Sequence, residues 1–180
     1  VVSIAFGAGG WVCPVCGNVN YDSFCPKDGT AKPAGQVSSI RIGDYVFFGH
    51  YPQTRSGMHN SQIEWLVLEC NNNQALLISR YAIDCKTYGN SRSRFITWEN
   101  SSIRSWLNNT FLSNAFTNNE RACIQQTWVD CGSNQSGGSW SKGSGGSNTL
   151  DYVFLLSRSE ADYYFASDYD FFEVPRGVWD

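Results

Sequence analysis

The chain has 180 residues, a length that suits one domain or one domain with a small additional module. Aromatic residues make up 15% of the chain and charged residues 16%, a composition that excludes a disordered or fibrous protein. The formal net charge of −3 offers no basic surface, so nucleic acid is not an expected partner. No apolar run approaches the roughly 18 residues of a membrane-spanning helix, so no span is expected in this chain.

The N-terminal part contains a metal-binding pattern. Residues 1–10 are rich in Gly and Ala and are predicted to be the tail of a linker. Cys13 and Cys16 then form a Cys-Pro-Val-Cys-Gly motif, whose tight turn directs two thiolates at one point. Cys25 opens a second motif of the same form, with Asp28 where a CxxC motif has its last cysteine. Zinc accepts carboxylate oxygen as well as thiolate, so the sequence predicts one structural zinc ion bound by these four residues.

Residues 11–31 resemble the short zinc ribbons that occur as additional modules in many bacterial proteins, and they depart from that pattern at Asp28. Two alternatives stay open: a decayed ribbon that binds metal weakly or not at all, and a redox-active cysteine pair. The redox alternative is the weaker one, because redox CxxC motifs usually open a helix. So small a module depends on metal for its folding free energy. Residues 32–36 are predicted to be a linker, which leads us to expect that the main domain melts independently of the ribbon.

The other four cysteines show no metal-ligand spacing; they are Cys70, Cys85, Cys123 and Cys131. Cys70 ends an apolar stretch and Cys123 lies in a helical pattern, so both are expected to be buried, reduced thiols. Reduced cysteines favour a reducing compartment, and therefore a cytoplasmic location. A location on the cell surface stays open if the chain is part of a longer protein.

From residue 37 the pattern changes to short strands. Residues 40–49 alternate and then become apolar, with a turn predicted at Gly43-Asp44. Residues 63–69 predict the next strand, and residues 74–79 follow it after an Asn-rich turn. These two segments predict a β-hairpin.

A helix is predicted over residues 98–108, because apolar side chains recur there at helical spacing. Asn100 or Ser101 can cap its first turn. The Asn108-Asn109 pair is typical of a helix end, so the helix is predicted to end there.

Thr117 and Glu120 form a capping box that predicts a second helix. Residues 131–149 are mostly Gly, Ser and Asn, and predict a long flexible loop. Residues 150–157 predict a strand, and residues 159–165 open as a capped turn of helix.

The chain contains six short phrases, at residues 48–53, 63–69, 75–79, 81–84, 98–108 and 151–161. In this order they resemble a bacterial family of unknown function. The family is built on the formylglycine-generating-enzyme branch of the C-type-lectin fold, so the resemblance implies an α+β, C-type-lectin-like domain over residues 37–180. The resemblance itself covers residues 37–165. Relatives commonly continue through a further strand, so the chain is expected to be truncated at its C-terminus.

The sequence shows no catalytic set. An oxidase of the formylglycine-generating type needs a late cysteine pair, but the last cysteine is Cys131. His50 and His59 are the only histidines; His50 is expected to be structural and His59 to be solvated. A hydrolase-like enzyme stays an alternative, because Cys-His and Ser-His partners meet in space rather than in sequence.

The leading hypothesis is therefore a non-enzymatic binding module, in which a zinc ribbon precedes a C-type-lectin-like domain. Its loops would be displayed to a protein or a glycan. Aromatic side chains in or near loops often serve recognition. A structural or regulatory part of a larger polypeptide is a third possibility. The candidate ligand-binding residues are Tyr88, Trp140, Tyr163 and Tyr164.

Overall fold

The computed structural model of the protein describes residues 2–7, 11–13, 15–20, 25, 27–31, 40–53, 60–71, 74–89, 96–132 and 146–165. Over these ranges the chain is a mixed α and β structure with a curled antiparallel sheet and a few short helices. Its strands are β1 (Ser3–Gly7), β2 (Trp11–Val12), β3 (Val19–Asn20), β4 (Tyr45–Pro52), β5 (Asn60–Cys70), β6 (Gln74–Ser79), β7 (Ile124–Gln125), β8 (Thr127–Val129), β9 (Thr149–Asp151) and β10 (Val153–Phe154). Its α-helices are α1 (Ser102–Trp106), α2 (Leu112–Ala115), α3 (Asn118–Arg121) and α4 (Arg158–Phe165).

Strand β1 lies in the interior of the main sheet, whose order is β10-β1-β6-β5-β4. One side of β1 pairs with β6 from Ser3 to Gly7, and the other side pairs with both β10 and β7. The side chain of Ile4 is completely buried there. The sequence predicts a linker tail over residues 1–10, but the structure places residues 3–7 in the sheet. The segment is short and lies beside glycines, so its own sequence does not indicate a strand. It is held in the sheet by pairing with strands that are distant in the chain.

The predicted hairpin is confirmed as β5 and β6, with β5 starting earlier than expected, at Asn60. At its turn the backbone N–H of Gln74 donates to the side chain of Asn71 over 2.9 Å. The predicted turn before β4 is also confirmed: the N–H of Asp44 donates to the carbonyl of Arg41 over 3.0 Å, and Gly43 has a φ of 89°. Strand β4 begins only after this turn.

The core fills the space between the main sheet and the helices. Trp65 is fully buried, and its indole N–H donates to the carbonyl of Phe48 over 2.7 Å. The ring of Phe116 lies 5.0 Å from that of Phe48 and 6.2 Å from that of Trp65, centroid to centroid. Gly49, at a φ of 72°, faces this ring, and a Cβ there would approach it to 2.5 Å. Only glycine therefore allows β4 to pass Phe116.

The helix predicted over residues 98–108 differs from the observed one at both ends. Residues Trp98–Asn100 form a 3₁₀ turn, and the predicted cap Ser101 then accepts a hydrogen bond from the N–H of Arg104 over 3.2 Å. The helix does not end at Asn108, because a π-helical turn, Leu107–Phe111, joins α1 to α2. The carboxamide of Asn108 donates to the carbonyl of Val153 over 2.8 Å, so this residue ties the helix to β10.

The later elements follow their predicted caps. Thr117 and Glu120 form the predicted capping box of α3. Ser157 accepts a hydrogen bond from the N–H of Glu160 over 3.2 Å and so caps α4. The strand predicted over residues 150–157 is divided into β9 and β10 and ends at Phe154. Most of the loop predicted over residues 131–149 lies outside the described residues.

A buried carboxylate joins the helices to β9. Asp151 is 1% exposed, and its oxygens accept hydrogen bonds from the Nε of Arg104 over 2.8 Å and from the indole N–H of Trp98 over 2.9 Å. The hydroxyl of Thr149 donates to the same carboxylate. A buried charge is tolerated when it is paired and hydrogen-bonded, as this one is.

We expect Ile4→Asp to lower the free energy of unfolding by more than about 4 kcal/mol, because it places a charge in the interior of the sheet. Ile42→Asp is the matched control, since Ile42 is 67% exposed and the change should be nearly neutral. Urea unfolding followed by circular dichroism measures both. Equal stability of the two variants would mean that residues 1–10 are a linker after all.

We expect Arg104→Met to cost about 3 kcal/mol of stability, because it leaves the buried Asp151 carboxylate without its counter-charge. Arg158→Met breaks a pair with Asp162 in which both side chains are more than half exposed, and should cost less than about 0.5 kcal/mol. The same urea titration compares them. A loss for Arg104→Met as small as that of the control would show that the buried pair is not a stability determinant.

Candidate metal centre and exposed aromatic surface

Two turns with the same backbone geometry build the candidate metal centre. In the first, the N–H of Cys13 donates to the carbonyl of Asn18 over 2.8 Å, and the N–H of Gly17 donates back to Cys13 over 2.9 Å. In the second, the N–H of Cys25 donates to the carbonyl of Thr30 over 2.7 Å, and Gly29 donates back to Cys25 over 2.8 Å. The two turns are thus superimposable in hydrogen-bond pattern, residue for residue.

The glycines show why both turns take this form. Gly17 has a φ of 73° and Gly29 a φ of 74°, in the left-handed region that residues with a Cβ rarely adopt. Each glycine directly follows the last candidate ligand of its turn, which is Cys16 in the first and Asp28 in the second. Asp28 therefore occupies the structural place of a fourth cysteine.

The four side chains converge. Their candidate ligand atoms, one each from Cys13, Cys16, Cys25 and Asp28, all lie within 4.8 Å of one another. The two sulfurs of Cys16 and Cys25 are 3.5 Å apart, and the sulfur of Cys13 lies 3.3 Å from Oδ2 of Asp28. Tetrahedral coordination with bonds of about 2.0–2.3 Å places neighbouring ligand atoms about 3.5 Å apart. The cluster could therefore hold a metal ion with little movement of its side chains.

Burial and hydrogen bonds within the cluster shift the pKa values of three of these groups. Hydrogen bonds from Cys16 and Thr30 hold the pKa of the Asp28 carboxyl well below its usual range. Burial, followed by the hydrogen bond to Asp28, raises the pKa of the Cys16 thiol to about 12. Burial also opposes ionisation of Cys13, but backbone N–H donors at Cys16 and Val15 lower its pKa overall. A bound metal would displace the remaining thiol protons.

The candidate metal centre contacts the main sheet. The N–H of Phe47 in β4 donates to the carbonyl of Gly17 over 3.2 Å, and Asn18 forms a parallel bridge with the same residue. Gln62 in β5 donates to the side chain of Asn18 over 2.9 Å and accepts from the ammonium of Lys27 over 3.2 Å. The sequence predicts a ribbon joined to the main domain by a linker; in the structure the first cysteine turn is hydrogen-bonded to β4, and both turns are hydrogen-bonded to Gln62 of β5.

The predicted ligand-binding aromatics lie in different settings. Tyr88 is 46% exposed and Tyr163 is 77% exposed, so both rings are open to solvent. Tyr164 packs against the ring of Tyr163 at 5.0 Å, and its hydroxyl donates to Glu69 over 2.5 Å. Burial and Glu69 raise the pKa of that hydroxyl. The fourth candidate, Trp140, lies outside the described residues.

The sequence reasoning missed an exposed apolar surface on the β8–β9 pair. Trp128 is 63% exposed and lies directly opposite Leu150, which is 48% exposed. Tyr152, two residues further along, is 37% exposed, while Thr149 and Asp151 on the other face are buried. Leu150 and Tyr152 alternate with buried polar residues, which is a readable signal, but Trp128 joins them only through strand pairing. We call these three residues, Trp128, Leu150 and Tyr152, the aromatic surface.

An open groove adjoins the aromatic surface at Tyr152. It has a volume of about 710 Å³ and is formed by the π-helical turn, α2, α3 and Tyr152. Its lining includes hydrogen-bonding side chains, among them Asn109, Ser113 and Arg121. Aromatic and hydrogen-bonding groups thus lie side by side at Tyr152.

The family model described as a domain of unknown function (DUF6273) matches residues 72–173. The chain belongs to this family. Membership in a family of unknown function is thereby confirmed, and the matched segment runs from the hairpin turn through the groove and the aromatic surface to α4. No curated protein and no solved structure matches the chain significantly.

The structure shows the settings of the remaining cysteines and of one of the two histidines of this DUF6273 chain. All seven cysteines are thiols rather than members of disulfides, and Cys70 and Cys123 are half-buried rather than fully buried. Burial and the neighbouring Asp151 raise the pKa of the Cys131 thiol, which makes it a weak nucleophile at neutral pH. His50 is exposed on β4, and His59 lies outside the described residues. In the part that the structure describes, no helix is long and apolar enough to cross a membrane.

Proposed function

We propose that this DUF6273 protein is a non-catalytic recognition module that carries one structural zinc ion. The observation that supports the zinc ion is the pair of matching turns, which brings three cysteines and Asp28 to one point. Thiolates are soft ligands that favour zinc over magnesium or calcium. Four protein ligands complete a tetrahedral shell, and a closed shell is typical of structural rather than catalytic zinc. Residues 11–31 then form a zinc ribbon in which Asp28 replaces the fourth cysteine.

The recognition role is supported by the aromatic surface. Aromatic side chains contribute a large share of binding energy at interfaces, and adjacent polar groups orient the ligand. Trp128 and Leu150 present such an apolar area to solvent, and the groove beside Tyr152 supplies hydrogen-bonding side chains. We propose a protein or glycan ligand for this surface, presented by a domain of the C-type-lectin-like type. Tyr88 and Tyr163 are further exposed rings that a large ligand can reach.

Protein purified without chelators should contain about one zinc ion per chain. Cys13→Ser should release it, because two thiolates and a carboxylate no longer close the site. Asp28→Cys should tighten binding by supplying a softer ligand, and Asp28→Ala should weaken it moderately. Metal analysis by mass spectrometry and competition with a chromophoric chelator measure these effects.

Cys85→Ser is the matched control for this experiment, because Cys85 is an exposed cysteine outside the cluster, and its replacement should leave the zinc content unchanged. Preparations without zinc in which Cys13, Cys16 and Cys25 all react freely with an alkylating agent would contradict the zinc proposal. The ribbon would then be a decayed one.

Trp128→Ser and Leu150→Ser should weaken ligand binding at least tenfold while leaving the melting temperature unchanged, because both side chains are exposed. Binding to a glycan array and to immobilised candidate proteins identifies a ligand, and titration calorimetry then compares the variants. Ile42→Ser is the matched control, since Ile42 is 67% exposed but lies outside the aromatic surface. Binding that is unchanged in both surface variants would exclude this surface as the recognition site.

A further inference from the structure

Among the described residues, strand β4 forms the edge of the main sheet, and its sequence makes that edge prone to association. It forms the outer end of the sheet order, beside β5. Its eight residues, Tyr-Val-Phe-Phe-Gly-His-Tyr-Pro, include four aromatic rings and no Lys, Arg, Asp or Glu. Natural edges are usually protected by charges or short length, because unpaired backbone groups recruit further strands. An edge of this composition therefore needs a cover.

Two separate elements cover the outward N–H groups at the middle of β4. The N–H of Phe47 donates to the carbonyl of Gly17 over 3.2 Å, in the first cysteine turn. The N–H of Gly49 donates to Oε1 of Glu120 over 3.2 Å, at the start of α3. Glu120 is fixed by its own capping box. The carbonyl of Gly17 stays over the N–H of Phe47 only if the first cysteine turn keeps its structure.

Both cysteine turns take part in this cover. From the first turn, the backbone at Gly17 approaches the ring of Phe47, so that a Cβ there would lie 3.4 Å away. From the second turn, the ammonium of Lys27 lies 5.6 Å from the centroid of the same ring. Gln62 accepts from Lys27 and donates to Asn18, so it bridges the two turns next to the edge.

We propose that the metal ion keeps the β4 edge covered by holding the two cysteine turns together, and that the metal-free chain associates with a second copy of itself through β4. The inference rests on the metal site of the proposed function. The ribbon has only the two-residue strands β2 and β3 and no apolar core beyond its cysteines in the described residues. A module of this size loses its fold when the metal leaves. Loss of metal therefore uncovers the N–H and the ring of Phe47 together.

The test compares the zinc-loaded full chain with the same protein after treatment with a chelator under reducing conditions, which prevent disulfide formation. Hydrogen exchange at the amide of Phe47 should become at least tenfold faster, while exchange at Gly49 should change less because Glu120 still covers it. Light scattering should show a shift from the mass of the loaded protein to twice that mass or more. Re-addition of zinc should reverse both changes.

Phe47→Lys should suppress association of the metal-free chain, because a charge on an edge strand opposes pairing. Ile42→Lys, an equally charged change at an exposed position before β4, should leave association intact. Association that persists in Phe47→Lys would overturn the role of β4. Zinc that binds and can be removed without changing exchange at Phe47 would overturn the cover while leaving the zinc site standing. Protein that binds no zinc would overturn both.

Discussion

The pairing of β1 in the interior of the sheet is the constraint on which the rest of the structure depends. Because Ser3–Gly7 joins β6 on one side and β7 and β10 on the other, it connects the hairpin to the C-terminal strands. Without it, those strands have no common partner in the described sheet. The two cysteine turns lie between β1 and β4 in the chain, and the first turn is hydrogen-bonded to Phe47 in β4. The candidate metal centre therefore lies, in sequence, between two strands of the same sheet.

The parts of the fold that could be predicted from the sequence are those encoded over a few residues. The turn of the hairpin, the turn at Gly43, and the caps at Ser101 and Thr117 each depend on neighbours within four residues. Strand β1 could not be predicted in this way, because Ile4 pairs with Leu77 and Val153, far along the chain. The end of the helix predicted over residues 98–108 is wrong for a similar reason. Asn108 looks like a terminator locally, but its carboxamide is bonded to β10.

The candidate metal centre was predictable for the same physical reason that the hairpin was. Each cysteine turn is a local structure, and its spacing and glycine are visible in the sequence. The equivalence of Asp28 with a cysteine required the backbone hydrogen bonds of both turns. The contact of the first cysteine turn with Phe47 and the pairing of Trp128 with Leu150 depend on long-range packing. Such contacts between distant segments cannot be read from either segment by itself.

The carboxylate at position 28 has a consequence for the whole arrangement. Cys13 and Cys25 are 1% exposed, Cys16 is half-buried, and Asp28 is exposed, so the centre is closed on the cysteine side and open on the aspartate side. A carboxylate binds zinc less tightly than a thiolate but carries the same charge, so Asp28 would be the weakest of the four ligands in the proposed zinc site. A bound ion would therefore exchange with solvent on the side of Asp28. Under the proposed role of the metal in covering the β4 edge, the weakest ligand of the centre would set how long that edge stays covered.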